Sequence, residues 1–136
     1  MTNPIKALLF KDGRLQVLEE LDQEGLDEIY RLIECNAIDI VERWIGGKPY
    51  RIICDDEGMY AVNPKISFYA PRECYLVGNL IITGHEDNEG YLTSLSVADI
   101  LNIRLSLVPF KEGRFVLRGN TSDEVRSILK NVNLGR

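Results

Sequence analysis

Ala37-Ile-Asp-Ile-Val-Glu-Arg-Trp-Ile-Gly-Gly-Lys-Pro-Tyr-Arg-Ile-Ile-Cys54 is the stretch whose reading decides the fold. Apolar and polar residues alternate up to Gly46-Gly47 and apolar character returns after it. This is the pattern of two strands joined by a tight two-residue turn. Glycine suits both central positions, because such turns need a positive φ that a side chain resists. With a two-residue loop the register sets Glu42 opposite Arg51 and Val41 opposite Ile52. Charge then meets opposite charge and apolar meets apolar, which supports the pairing. Ile38, Ile40 and Trp44 share one face of the first strand, while Asp39, Val41 and Arg43 share the other.

Upstream, Ile5–Phe10 is a compact apolar run, and Asp12-Gly13 separates it from a second short strand over Leu15–Leu18. Glu19–Glu28 holds six acids and no base. From Leu26 the apolar residues fall at helical spacing (Leu26, Ile29, Tyr30, Ile33), which predicts a helix over about residues 24–34 with its acids at the positive end of the dipole. Downstream, Asp55–Gly58 is a turn and Met59–Val62 reads as a further short strand. Asn63–Arg72 holds Pro64 and Pro71 and reads as irregular. Tyr75–Thr83 is strongly β, with a bend at Gly78-Asn79. His85–Gly90 is a polar turn and Tyr91–Ser94 a brief strand. Ser96 caps a helix running to about Leu105, Pro109 and Gly113 interrupt, and Arg114–Leu117 reads as a late strand. Thr121-Ser-Asp-Glu124 has capping-box spacing before a final amphipathic helix carrying Val125, Ile128, Leu129 and Val132. The expectation is a single α+β domain. A twisted, mainly antiparallel sheet is covered by a helix after the first hairpin and by two C-terminal helices. Residues 1–103 form the core and residues 104–136 a C-terminal extension of strand and helix packed on it.

Composition agrees with one soluble domain: 136 residues, 45% apolar, 27% charged and a net charge of −5. A wholly basic nucleic-acid module is disfavoured by that charge. The charge is unevenly divided, with 9 bases against 18 acids in residues 1–103 and 7 bases against 3 acids in residues 104–136. Cys35, Cys54 and Cys74 form no Cys-x-x-Cys pair, so zinc-ribbon and thioredoxin-like chemistry lacks its ligands. An odd thiol count and an N-terminus without a leader pattern point to a reducing cytoplasm. No apolar run approaches the roughly 20 residues that span a bilayer, so no membrane partner is expected.

The chemical motifs fail one by one. Gly46-Gly47-Lys48-Pro49 has Pro where a phosphate-binding loop needs Ser or Thr, and Glu42 where it needs its first glycine. His85-Glu-Asp-Asn-Glu-Gly90 resembles a calcium loop, but the anchoring first and twelfth positions are His85 and Ser96. A cysteine nucleophile would need activation by His85, the only histidine. No cofactor is expected, no metal ligand set emerges, and no catalytic residue is assigned.

Five stretches together resemble a known family: Ile5–Phe10; Ile38-Asp-Ile-Val41; Ile53-Cys-Asp-Asp-Glu-Gly58 followed by Asn63-Pro64; Val77-Gly-Asn-Leu-Ile-Ile-Thr-Gly84; and Ser94-Leu-Ser-Val-Ala-Asp-Ile100. Spanning most of residues 4–103, they resemble the domain of unknown function 3846 family, found in small proteins of bacterial phages, plasmids and integrative elements. The resemblance implies a fold and a mobile-element origin, and it carries over no catalytic residue.

The leading expectation is a non-enzymatic accessory protein that binds a host protein. Glu19, Glu20, Asp22, Glu24, Asp27 and Glu28 would face a basic partner, such as a nucleic-acid-binding enzyme, by charge mimicry. The plainer reading of those acids is a solvated helix start. The alternatives are a nucleic-acid-associated module using Arg114, Arg118, Arg126 and Lys130 together with Arg104 and Lys111, and a small metal protein or enzyme centred on His85. An exposed strand edge leaves room for a homodimer.

Overall fold

A computed structural model describes residues 4–120 and 123–127. The first hairpin pairs β1 (Pro4–Lys11) with β2 (Arg14–Asp22) about Asp12-Gly13, both at positive φ. Helix α1 (Leu26–Ile33) follows. The deciding hairpin is β3 (Ile38–Ile45) with β4 (Lys48–Asp55), and its register sets Glu42 against Arg51 and Val41 against Ile52, as the sequence predicts. Then come β5 (Ile66–Tyr69), β6 (Leu76–Val77) and β7 (Leu80–Thr83). Helix α2 (Val97–Arg104), β8 (Leu107–Pro109) and β9 (Phe115–Arg118) complete the order, and residues 123–127 are helical. The protein is α+β with mostly antiparallel strands, a helix after the first hairpin and helices toward the C-terminus. The N-cap expected at Thr121, and Ile128, Leu129, Lys130 and Val132 of the expected last helix, lie outside the described residues.

The strands divide between two sheets, ordered β2-β1-β7-β4-β3 and β6-β5-β9-β8. The five-stranded sheet lies in the middle. One face, through Leu8, Phe10, Ile52, Leu80 and Ile82, packs with Phe68 and Leu117 of the second sheet and Ile103 of α2. The other face, through Ala7, Leu9, Ile53 and Ile81, packs under Ile29 and Ile33 of α1. Strands covered on both faces need apolar residues at every position, which accounts for the unbroken runs in β1 and β7. On the edge strands Glu19 and Glu20 of β2 and Asp39 and Glu42 of β3 are exposed, whereas Arg43 of β3 lies over the Phe68 ring. A bulge in β2 at Glu19-Glu20, where these two residues oppose Lys6 alone of β1, adds charge and twist to that edge and blunts it against stray pairing.

Four sequence expectations change. Met59–Val62 is not a strand: Gly58–Tyr60 is a 3-10 turn, anchored where Gly58 lies against Val77. The expected irregular stretch contains β5, because Pro64 and Pro71 flank Ile66–Tyr69 instead of interrupting it. Tyr91–Ser94 contributes only an isolated bridge between Glu86 and Leu92. Leu107–Pro109 is a strand, with its Pro at the end of an edge. The bend at Gly78-Asn79 is the crossover between sheets, made at φ +75° by Gly78. Residues 107–118 supply two strands of the second sheet, with β9 parallel to β5 and Val116 and Leu117 fully buried.

Candidate functional site

The crossover at Gly78-Asn79 opens a continuous cleft between the ends of the two sheets. Its three adjoining depressions, of about 310, 190 and 410 Å³, all include Lys65 in their walls. Asp12 enters from the β1–β2 turn, Glu34 from the left-handed end of α1, Asp55 from the end of β4, and Asn63 from the segment before β5. Lys11 Nζ lies 2.8 Å from Glu34 Oε2, and Asn79 Nδ2 donates to the same oxygen at 2.9 Å and to the Leu32 carbonyl at 3.2 Å. The bond from Lys11, then that from Asn79, lowers the Glu34 pKa, while the bond to Glu34 raises that of Lys11. This wall of the cleft is acidic.

The opposite wall is basic. Arg114 and Lys65 flank the middle depression, whose floor includes the buried ring of Phe10; Lys111 joins them further along, and Arg14 lies beside Asp12. Arg114 is held in place by Nη2, which donates to the Ile66 carbonyl at 2.8 Å. Residues from separate stretches of the resemblance meet here: Asp55, Gly58, Asn63, Pro64, Gly78 and Asn79. Sequence spacing could not bring them together, because the convergence depends on the chain changing sheets.

The residues singled out in the sequence are dispersed. Glu19, Glu20 and Asp22 belong to β2, whereas Glu24 precedes α1 and Asp27 and Glu28 lie in its first turn. Glu19 is 3.5 Å from Lys6, Glu28 is 3.9 Å from Arg31, and Asp22 Oδ1 accepts from the Glu24 backbone N–H. Arg114 immediately precedes β9 and Arg118 ends it, about 13 Å apart by strand rise. Arg118 pairs with Glu124 at 3.2 Å, Arg126 is exposed, and Lys130 lies outside the described residues.

His85 Nε2 meets Glu42 Oε2 at 2.6 Å, and Arg51 links Glu42 to Glu86. Asp55–Glu57 follow the far end of β4 from this group, since Thr83 pairs with Arg51. No group of three or more His, Cys, Asp or Glu side chains able to hold a metal ion occurs among the described residues. Burial pushes the Cys54 thiol up to about 11 and raises that of Cys35, so both resist forming the thiolate a nucleophile requires. No helix among the described residues is long and apolar enough to cross a membrane.

Sequence reading placed the Ser96 cap but missed the polar cluster built on it. Ser96 and Asp99 form a reciprocal capping box at the start of α2. Asp99 Oδ1 also takes bonds from Lys48 Nζ and from the buried Tyr50 hydroxyl, and that hydroxyl accepts from Asn102. Burial opposes the Asp99 charge, but the bonds from Lys48, Ser96 and Tyr50 outweigh it and bring the pKa to about 2. Burial drives Tyr50 to about 12. Neither group exchanges a proton near neutral pH, so the cluster fastens α2 to the β3–β4 hairpin.

The family described as Domain of unknown function (DUF3846) matches residues 5–105. No curated protein and no solved structure matches the chain.

Proposed function

The chain belongs to the DUF3846 family of domains of unknown function, and since that description assigns no activity, we propose its role from the surface it displays: a non-enzymatic interaction protein that binds another protein. Met59, Tyr60 and Val62 carry this reading, being 62%, 85% and 91% exposed. Single exposed apolar residues are ordinary. Three within four positions, on a turn anchored through Gly58 beside a cleft, form a contact surface. The chemistry elsewhere agrees, with buried thiols resisting ionisation and Asp99 and Tyr50 titrating far from neutrality. The family resemblance supports a phage or other mobile-element origin, hence a host protein as partner. Three free cysteines, Cys74 among them exposed, suit a reducing cytoplasm.

Affinity capture from the natural host tests this, using the full chain and a Met59→Ser/Tyr60→Ser/Val62→Ser variant, both verified as folded by circular dichroism. One protein should be retained stoichiometrically by the wild type and lost by the variant. Equal retention by both, or no retained protein, overturns the reading.

A further inference from the structure

Acids outnumber bases by 21 to 16 in this chain, so a cation has carboxylates to spare. Eight of the described Lys and Arg side chains do lie within 4 Å of one. The other six lie near none among the described residues, and four of these, Arg14, Lys65, Lys111 and Arg114, line the same cleft or its margin, Arg104 and Arg126 standing elsewhere. In the two depressions that Arg114 lines the acids are Asp12 and Glu112, while Glu34 and Asp55 stand on the wall beyond Lys65. Walls of protein on both sides concentrate the resulting field in the gap. Arg114 is anchored by one nitrogen to Ile66, which presents the remaining guanidinium N–H groups in a fixed plane suited to a carboxylate.

We propose that the cleft is a docking site for an acidic, apolar segment of a partner protein, with Arg114 and Lys65 binding its carboxylates and Met59, Tyr60 and Val62 receiving its apolar side chains. The proposal rests on the protein-binding reading above and gives the partner its chemistry. A nucleic-acid strand fits less well. Its phosphates would run past Asp12, Glu112 and then the Glu34 and Asp55 wall, on a protein of net charge −5. A peptide alternating acidic and apolar residues meets both the cations and the exposed apolar turn.

Fluorescence anisotropy tests this with a labelled peptide of alternating leucine and glutamate, its leucine–lysine counterpart, and an oligothymidylate. The leucine–glutamate peptide should bind, more weakly at high salt, with the other two weaker still. Lys65→Ala and Arg114→Gln should each weaken it by about tenfold, the loss expected for one charge-assisted hydrogen bond, and Arg104→Ala, exposed at the end of α2, should not. Lys65 is exposed, so its variant isolates the charge should Arg114→Gln disturb folding. Unchanged affinity in Lys65→Ala, no binding by the wild type, or preference for the oligothymidylate refutes the site. If the wild type and Lys65→Ala capture the same host partner equally, the cation site fails while protein binding stands.

Discussion

Replacing Asp99 by Asn tests the tie between α2 and the β3–β4 hairpin. The carboxylate is buried, accepts from Lys48, Ser96 and Tyr50, and titrates near 2 against an ordinary 3.8. That difference corresponds to about 2 kcal/mol favouring the folded state whenever the group is ionised. Because the folded pKa lies below the unfolded one, the contribution is complete above about pH 4 and is lost as pH falls through 2. Asp99→Asn keeps an oxygen acceptor and the side-chain volume but removes the charge. Urea unfolding of both chains should therefore show a gap of about 2 kcal/mol at pH 7, narrowing between pH 4 and pH 2. Other carboxylates protonate in the same range, but identically in both chains, so the difference isolates Asp99. A gap that stays constant down to pH 2, or is absent at pH 7, refutes the reasoning.

Gly119→Ala should cost about 1–3 kcal/mol, because a Cβ there would meet the Phe68 ring and the Trp44 carbonyl oxygen at contact distances no core tolerates; a thermal melt should fall by several degrees. A chain ended at residue 105 loses β8 and β9 and, with Val116 and Leu117 alone, about 3–6 kcal/mol of burial from a total of ordinarily 5–15. It should show no cooperative transition by calorimetry; a sharp one would show that the second sheet is dispensable. The Met59→Ser/Tyr60→Ser/Val62→Ser chain should unfold in urea within about 0.5 kcal/mol of the wild type, since those side chains stand in solvent; a larger loss would mean that they serve the fold.

The hairpins were legible because their information is local. Gly46-Gly47 and Asp12-Gly13 fix a loop length, loop length fixes register, and register is confirmed by Glu42 facing Arg51. The Ser96 cap was legible for the same reason, as a side chain reaching a backbone three residues away. The second sheet was not. Ile66–Tyr69 has no tight turn to a neighbour, and its partners are a two-residue strand across a bend and β9, nearly fifty residues on. Parallel pairing at that separation leaves no trace in a sequence window. The candidate cleft was hidden with it. Asp12, Asp55, Asn63, Asn79 and Arg114 become neighbours only once Gly78-Asn79 carries the chain from one sheet to the other. The acidic run, continuous in sequence, is divided between the end of β2 and the start of α1.

The limit of family similarity and the limit of the folding unit fall at different places, and the cleft lies across the difference. Similarity ends at residue 105, yet β9 sits between β5 and β8 and seals the core with Val116 and Leu117. The acidic wall, Asp12, Glu34 and Asp55, comes wholly from the matched region. Lys111 and Arg114, two of the four uncompensated cations that line the cleft or its margin, come from beyond it. The same short segment therefore has two physical duties, covering Phe68 and setting the charge of one side of the cleft. Substitutions at Val116 or Leu117 act on the first and register as stability; substitutions at Lys111 act on the second and register as a change in what the cleft attracts. Measuring both on one set of variants separates them, because Lys111 is exposed and makes no ion pair among the described residues, so its loss should leave urea unfolding unmoved while altering the salt dependence of binding.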